Sequence, residues 1–178
     1  MALLIGFVLD QQVTVQKAFG GPLELQRRIG TLEPSVIAGM DPGDLEAVFR
    51  ERPAIHRFPG NMARRVQACC RAVVEEYGGR PERVWTEAAD AADLEVRLLA
   101  LPGIGPMKAK ALLAILARRF GVALAGMEAV LPHYPTLADV DSPESLTAYQ
   151  ENKRAYKAKL KAGGGTFDPS DAAGGDHD

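Results

Sequence analysis

The segment Leu101–Lys110, LPGIGPMKAK, carries the densest chemistry in this 178-residue chain. Gly103 and Gly105 can take a positive φ and have no Cβ to hold a ligand away. Pro106 presets the first turn of a helix and has no N–H to lose there. The N–H groups of Gly105, Met107 and Lys108 then point out of a helix start, at the positive end of its dipole. Such a start is an anion site, worth about 0.3–1 kcal/mol to an anion in the exposed case. Lys108 and Lys110, in the same stretch of helix, add charge-assisted contacts of the kind that hold phosphate. A plain corner between two helices also needs glycine to turn, so the pattern alone leaves both readings open.

The remaining reactive side chains are sparse. Cys69 and Cys70 are adjacent, a spacing that rarely forms a disulfide, and two thiols do not make a structural metal site. They fit a reducing, cytoplasmic compartment. His56, His133 and His177 are scattered, so neither a metal nor a cofactor is expected. Trp85 and Tyr134 are aromatics for which ordinary core or rim packing is the expected use. His133 sits in the loop Pro132-His133-Tyr134-Pro135.

The surrounding chain must position these groups, and its composition sets the class. Apolar residues make up 47% and charged residues 25%, a globular mix that excludes wholesale disorder, collagen and a disulfide-stapled miniprotein. No apolar run reaches the roughly 18 residues of a membrane span. The opening MALLIGFVLD lacks a basic start and a small-residue cleavage site, so it is expected to be a core helix and not a signal peptide. The net charge of −2 argues at first against a nucleic-acid partner. Residues 163–178, however, hold Asp168, Asp171, Asp176 and Asp178 and no Lys or Arg; without them, 21 basic residues face 19 acidic ones. Arginines recur at 50, 52, 57, 64, 65, 71, 80 and 83 against glutamates at 51, 75, 76 and 82. This is either a locally basic face or a set of solvated helix faces.

The periodicities predict an all-α protein. Leu3, Leu4, Phe7 and Val8 start a helix predicted to run to Phe19 and stop at Gly20-Gly21. Pro22 is placed in the first turn of the next helix, which ends at Gly30. Asp41-Pro42 caps and opens a helix to about Arg50. Asn61 is expected to cap a helix whose stripe is Met62, Val66, Cys69, Val73 and Tyr77, ended by Gly78-Gly79. A helix near 93–100, a second through Leu112, Leu113, Leu116 and Phe120, and a last one from Ser142-Pro143 to about Lys161 follow. The expected organisation is one helical domain over residues 1–162, with a hairpin at about 94–120, and a disordered, acidic, Gly-rich tail over 163–178.

LPGIGPMKAKALLAIL resembles the helix-hairpin-helix of the HhH-GPD superfamily of base-excision DNA glycosylases, the endonuclease III-like group. NMARRVQACCRAVVEEYGGRPERVW is similar to the helix and loop that precede this hairpin. LLIGFVLDQQVTVQKA is similar to the family's early core helix, which ends in a polar Gln-containing turn. The resemblance implies an all-α HhH-GPD fold, double-stranded damaged DNA as partner, and a monomer associated with the nucleoid. It assigns the DNA-phosphate grip to Gly103, Gly105, Met107, Lys108 and Lys110, and intercalation into DNA to Gln12 with Gln11 beside it. Family members carry residues ahead of the early helix, so a truncated start and a minimal member both stay open.

Three departures shape the expected activity. The bifunctional glycosylase/lyases place a nucleophilic lysine two residues after the second hairpin glycine. That position is Met107 here, and Lys108 lies about 100° further round the helix. The family's carboxylate after the hairpin falls, counted from Phe120-Gly121, on Glu128, while Asp139 and Asp141 stand where capping is expected. No cysteine follows Cys70, so the iron–sulfur loop of many endonuclease III-like proteins is absent. The expected function is monofunctional base excision with Glu128 as the acidic group. The alternatives are a catalytically inactive module that binds distorted DNA, and a helical protein–protein adaptor with a coincidental Gly-rich corner.

Overall fold

The computed structural model describes residues 1–163, and these are helical, with one 3₁₀ turn and no strand among them. The tail expected from residue 163 onward lies, past Gly163, outside the described residues. The chain forms two compact units, one of Met1–Glu87 with Arg97–Ile104, the other of Ala88–Val96 with the residues from Gly105 on.

The first unit holds α1 (Ala2–Leu9), α2 (Val15–Ile29), α3 (Pro34–Gly39), α4 (Pro42–Arg50), α5 (Pro59–Tyr77) and the single turn α6 (Arg83–Thr86). Helix α1 is apolar on every side, and Leu4 through Leu9 are buried. It packs on α2 and α5, while α3 and α4 cover the rest of α5. The predicted stripe of α5, Met62, Val66, Cys69, Val73 and Tyr77, is buried. Burial pushes the Cys69 thiol up to about 12 and the Cys70 thiol up as well, so both act as small core residues. Asp41 caps α4 through the N–H groups of Gly43 and Asp44, and Gly30 and Gly78 end α2 and α5 in the left-handed conformation.

Three boundaries differ from the sequence expectation. The first helix ends at Leu9, and Gly20, Gly21 and Pro22 lie inside α2. The glycines serve close approach there. A Cβ on Gly21 would sit 2.4 Å from Leu9 Cδ1, and one on Gly6 would sit 2.7 Å from Phe19 Cδ1. Asn61 is not a cap, because α5 starts two residues earlier, at Pro59 behind Phe58. Phe120, placed in an apolar stripe, is 58% exposed at the last turn of its helix.

Gly6→Ala should therefore destabilise the protein although alanine favours a helix. The Phe19 ring, edge-on to Phe7 with centroids 5.2 Å apart, would have to move. Overpacking costs about 1–3 kcal/mol, and the propensity gain offsets about 1 kcal/mol. The expected net loss of about 1 kcal/mol is read as a lower urea midpoint at constant slope.

In the second unit, α8 (Pro106–Phe120) is the buried centre: Ala109 and Ala111 through Leu116 are covered. It packs against α9 (Met127–Val130) and the 3₁₀ turn Leu137–Asp139, which also touches α10 (Pro143–Gly163). Thr136 and Asp139 form a capping box on that turn, and Asp139 also pairs with Arg118. Ser142 accepts the N–H of Ser145 in the first turn of α10. Helix α7 (Ala91–Ala100) spans the division between the units.

Candidate functional site

Between α7 and α8 the chain makes a tight turn. Ile104 N–H donates to the Leu101 carbonyl at 3.1 Å, and Gly103 has φ +89°. Proline second and a positive-φ glycine third are the signature of a type II turn. Gly103 needs its glycine twice over, since a Cβ would also meet the Val8 side chain at 3.4 Å. Gly105 is different. Its backbone is extended, with φ −96° and ψ 178°, and nothing lies within 4 Å of an added Cβ. It is the N-cap of α8, without a side chain to cap with, and Pro106 follows as the first helical residue. Gly105 and Pro106 are exposed, Met107 and Lys108 half-buried. The first N–H groups of a helix have no intrahelical acceptor. At Gly105 itself no side-chain bulk stands beside the main chain of this helix start.

Lys110 departs from the sequence expectation. Its ammonium pairs with Glu95 at 2.8 Å and donates to the Val130 carbonyl at 2.9 Å. Its side chain is only 17% exposed. The charge is committed inside the second unit, where it ties the last residue of α9 to α8. Glu128 lies in the first turn of α9, behind the left-handed Gly126, and is exposed. The backbone of this short helix is held through Val130; the Glu128 carboxylate itself points into solvent.

Gln11 and Gln12 stand in the turn between α1 and α2, in the first unit. Gln12 is exposed and has φ 55°, alone among the described non-glycine residues in that region. Gln11 is tied down. Its amide nitrogen donates to the Val8 carbonyl at 3.2 Å, its Oε1 accepts from Arg65 at 3.1 Å, and its own carbonyl lies 3.0 Å from His56 Nε2. Thr14 closes the turn by capping α2 at Lys17 N–H.

Sequence reasoning missed His56 and Arg28. His56 is 1% exposed. Its Nδ1 accepts the Phe58 N–H at 3.1 Å, which leaves Nε2 as the protonated nitrogen and hence the donor to Gln11. Arg28, its side chain 6% exposed, donates to the carbonyls of Val48, Glu51 and Pro53 and pairs with Glu24. Lys17 donates to the Ala54 carbonyl at 2.5 Å. The loop that carries His56 is thereby fixed. No local pattern marks these roles, because the partners that define them, Gln11 for His56 and the carbonyls of Val48, Glu51 and Pro53 for Arg28, are far along the chain.

Burial pushes the His56 imidazole below its ordinary value; Arg57 and Lys17 act in the same direction, against hydrogen bonds to the Gln11 and Leu9 backbone. The folded ring thus refuses a proton that the unfolded ring accepts. Stability should be full above pH about 6.5 and fall as pH drops below it, because the unfolded state then binds more protons. Denaturation at pH 7.5 and 5.5, both above the carboxylate range, should show the drop in the parent protein and much less of it in His56→Gln.

Much of the arginine run is locally neutralised. Arg50 and Arg64 pair with Glu46, Arg80 with Glu82, and Arg83 with Glu87. Arg57 lies over the Phe58 ring at 4.8 Å. Trp85 and Tyr134 are half-buried and His133 is exposed, while His177 lies outside the described residues. Asp141 accepts from the Ser145 hydroxyl at 3.3 Å, within the turn that starts α10. Among the described residues no group of three or more His, Cys, Asp or Glu could hold a metal ion, and no helix is long and apolar enough to cross a membrane.

The family model described as HhH-GPD superfamily base excision DNA repair protein matches residues 5–162. That range takes in the Gln11–Gln12 turn, the hairpin and Glu128. No curated protein and no solved structure matches the chain. A match across nearly the whole described chain agrees with its helical architecture. The chain therefore belongs to the HhH-GPD superfamily of base excision DNA repair proteins, a family that binds DNA.

Proposed function

We propose that the protein is a monofunctional DNA glycosylase, which grips a damaged duplex, extrudes the altered base and hydrolyses its N-glycosidic bond. The observation that carries this reading is the glycine-capped, proline-started N-terminus of α8 at Gly105-Pro106 behind a tight turn, in a chain of a base excision repair family. There Gly105, Met107 and Lys108 would hold a backbone phosphate through N–H groups and the helix dipole. Met107 occupies the position that the resemblance gives to the lyase nucleophile. A thioether forms no Schiff base, so water is the attacking group. Positive charge grows on the sugar as the base leaves, and a fixed carboxylate stabilises it; Glu128 is the acidic group available after the hairpin. Extruding a base costs a few kcal/mol, least for a damaged or mispaired one, and the exposed Gln12 would fill the gap.

One observation favours a second reading. Glu128 is exposed, and among the described residues no hydrogen bond or ion pair orients its carboxylate. A module that binds distorted DNA without cutting the glycosidic bond would need the hairpin and not this carboxylate. End-labelled duplexes each carrying uracil, hypoxanthine, an alkylated purine, 8-oxoguanine, a mismatch or an abasic site separate the two. Strand cleavage that appears only after alkali supports the glycosylase. Binding to distorted duplexes without base release supports the module.

A further inference from the structure

We infer that His56 is a positioning residue for Gln12, and that its imidazole holds the turn in the shape that presents the Gln12 side chain to the duplex. This rests on the reading of Gln12 as the group that enters DNA.

A non-glycine residue rarely takes φ +55°, and such a conformation persists only where the surroundings over-determine it. A turn that merely reversed the chain would be easier to build with glycine at position 12. Glutamine there keeps an exposed amide, with both a donor and an acceptor, at the tip. The surroundings that impose the conformation are on the residues either side. Gln11 is anchored through its carbonyl, its N–H, which donates to the Leu9 carbonyl at 2.7 Å, and both ends of its side chain. Thr14 fixes the exit. Gln12, between these anchors, is exposed.

Two of these anchors couple the turn to distant segments: Arg65 holds the Gln11 side chain, and His56 holds the Gln11 carbonyl, in the peptide that leads directly into Gln12. One ring nitrogen receives the Phe58 N–H, which commits the other to donate to the Gln11 carbonyl. The ring cannot slip, because Arg28 and Lys17 hold the carbonyls of the loop that leads into it. Loss of the Nε2 donor would free the peptide between Gln11 and Gln12 to rotate, and Gln12 would relax toward negative φ with its amide aimed elsewhere.

The test uses a duplex with a stable abasic analogue opposite 2-aminopurine, beside an undamaged duplex of the same sequence. Affinity for each and the 2-aminopurine fluorescence on binding are measured for the parent protein, Gln12→Ala, His56→Phe and the double variant. His56→Phe keeps bulk and burial and removes both nitrogens. It should lose about tenfold in preference for the abasic duplex, the worth of one well-made hydrogen bond. Its fluorescence change should shrink, while undamaged DNA binds as before. Gln12→Ala should do the same, and the double variant should add nothing to either. His56→Gln, whose amide nitrogen can reach the place of Nε2, should restore the preference, and the shorter His56→Asn should not. If His56→Phe does not fold, this Gln-versus-Asn order decides, and equal preference in the two overturns the proposal. Parent-like preference and fluorescence in folded His56→Phe, or effects that multiply in the double variant, also overturn it. If Gln12→Ala behaves as the parent, the reading of Gln12 itself fails and the positioning role with it. A normal Gln12→Ala loss beside unaffected His56 variants defeats the positioning role alone.

Discussion

Gly105→Val should bind an abasic duplex about ten- to a hundredfold more weakly than the parent, as expected from losing hydrogen bonds to a charged group worth about 1.5–3 kcal/mol. The fold should survive the change. Gly105 has an extended backbone that any residue adopts, and an added Cβ meets nothing within 4 Å. Losing a glycine N-cap costs at most about 1 kcal/mol. The new methyl groups would stand in front of the N–H groups at the start of α8, where a phosphate must come within hydrogen-bond distance. The salt dependence carries a second signature: one lost phosphate contact should flatten the slope of log affinity against log salt by about one. Gly103→Ala is the comparison, with a stability cost from backbone strain that Gly105→Val lacks. At φ +89° and beside Val8, alanine should cost about 1–2 kcal/mol of stability through backbone strain. Unchanged DNA affinity in Gly105→Val would remove the hairpin from the binding surface.

These two glycines also show what a sequence can reveal. The hairpin was legible because its determinants are local. Pro102, Gly103 and Pro106 each impose a backbone conformation on their own position, and the turn closes over four residues. The caps at Asp41 and Ser142 and the stops at Gly30 and Gly78 were legible for the same reason. The break between α1 and α2 was not readable from periodicity, because α1 is apolar all round and has no polar face to lose. Gly20, Gly21 and Pro22 look like a stop; their actual role is steric and depends on where Leu9 and Ile55 lie. The family resemblance located the Gln-containing turn that the apolar pattern ran through. Lys110 illustrates the limit at the site. Its place one turn into α8 suggested phosphate, and only the tertiary fold reveals that Glu95 and the Val130 carbonyl take its charge. His56 is the extreme case, since its partner Gln11 is 45 residues away.

Glu128→Gln should lower the rate of base release by about 10²–10³-fold, the usual cost of removing one electrostatic stabiliser from a charged transition state. DNA affinity should stay equal or rise slightly, because the change removes a negative charge from a surface that meets phosphate. Glutamine keeps the length and the hydrogen-bonding of the side chain and loses only the charge, so a large effect isolates the electrostatic role. Exposure of Glu128 in the free protein favours the binding module, and DNA binding is what would offset it. A duplex laid over the carboxylate would exclude water, and the same charge then acts through a lower dielectric. What the free protein must supply is a fixed backbone, and Lys110 supplies it by holding Val130, two residues on, while Glu95 holds Lys110. Lys110→Met should accordingly reduce base release less than Glu128→Gln, with phosphate binding intact. The same experiment tests the role of Met107. Strand cleavage without alkali, trapped as a covalent adduct by borohydride, would mean that a lysine attacks the sugar and that water does not. If Glu128→Gln releases base at the parental rate while Gly105→Val still loses its grip, the hairpin binds DNA and the hydrolysis belongs to another carboxylate. If neither protein releases any base from any lesion, the grip is the whole function, and the distortion of the duplex is what it recognises.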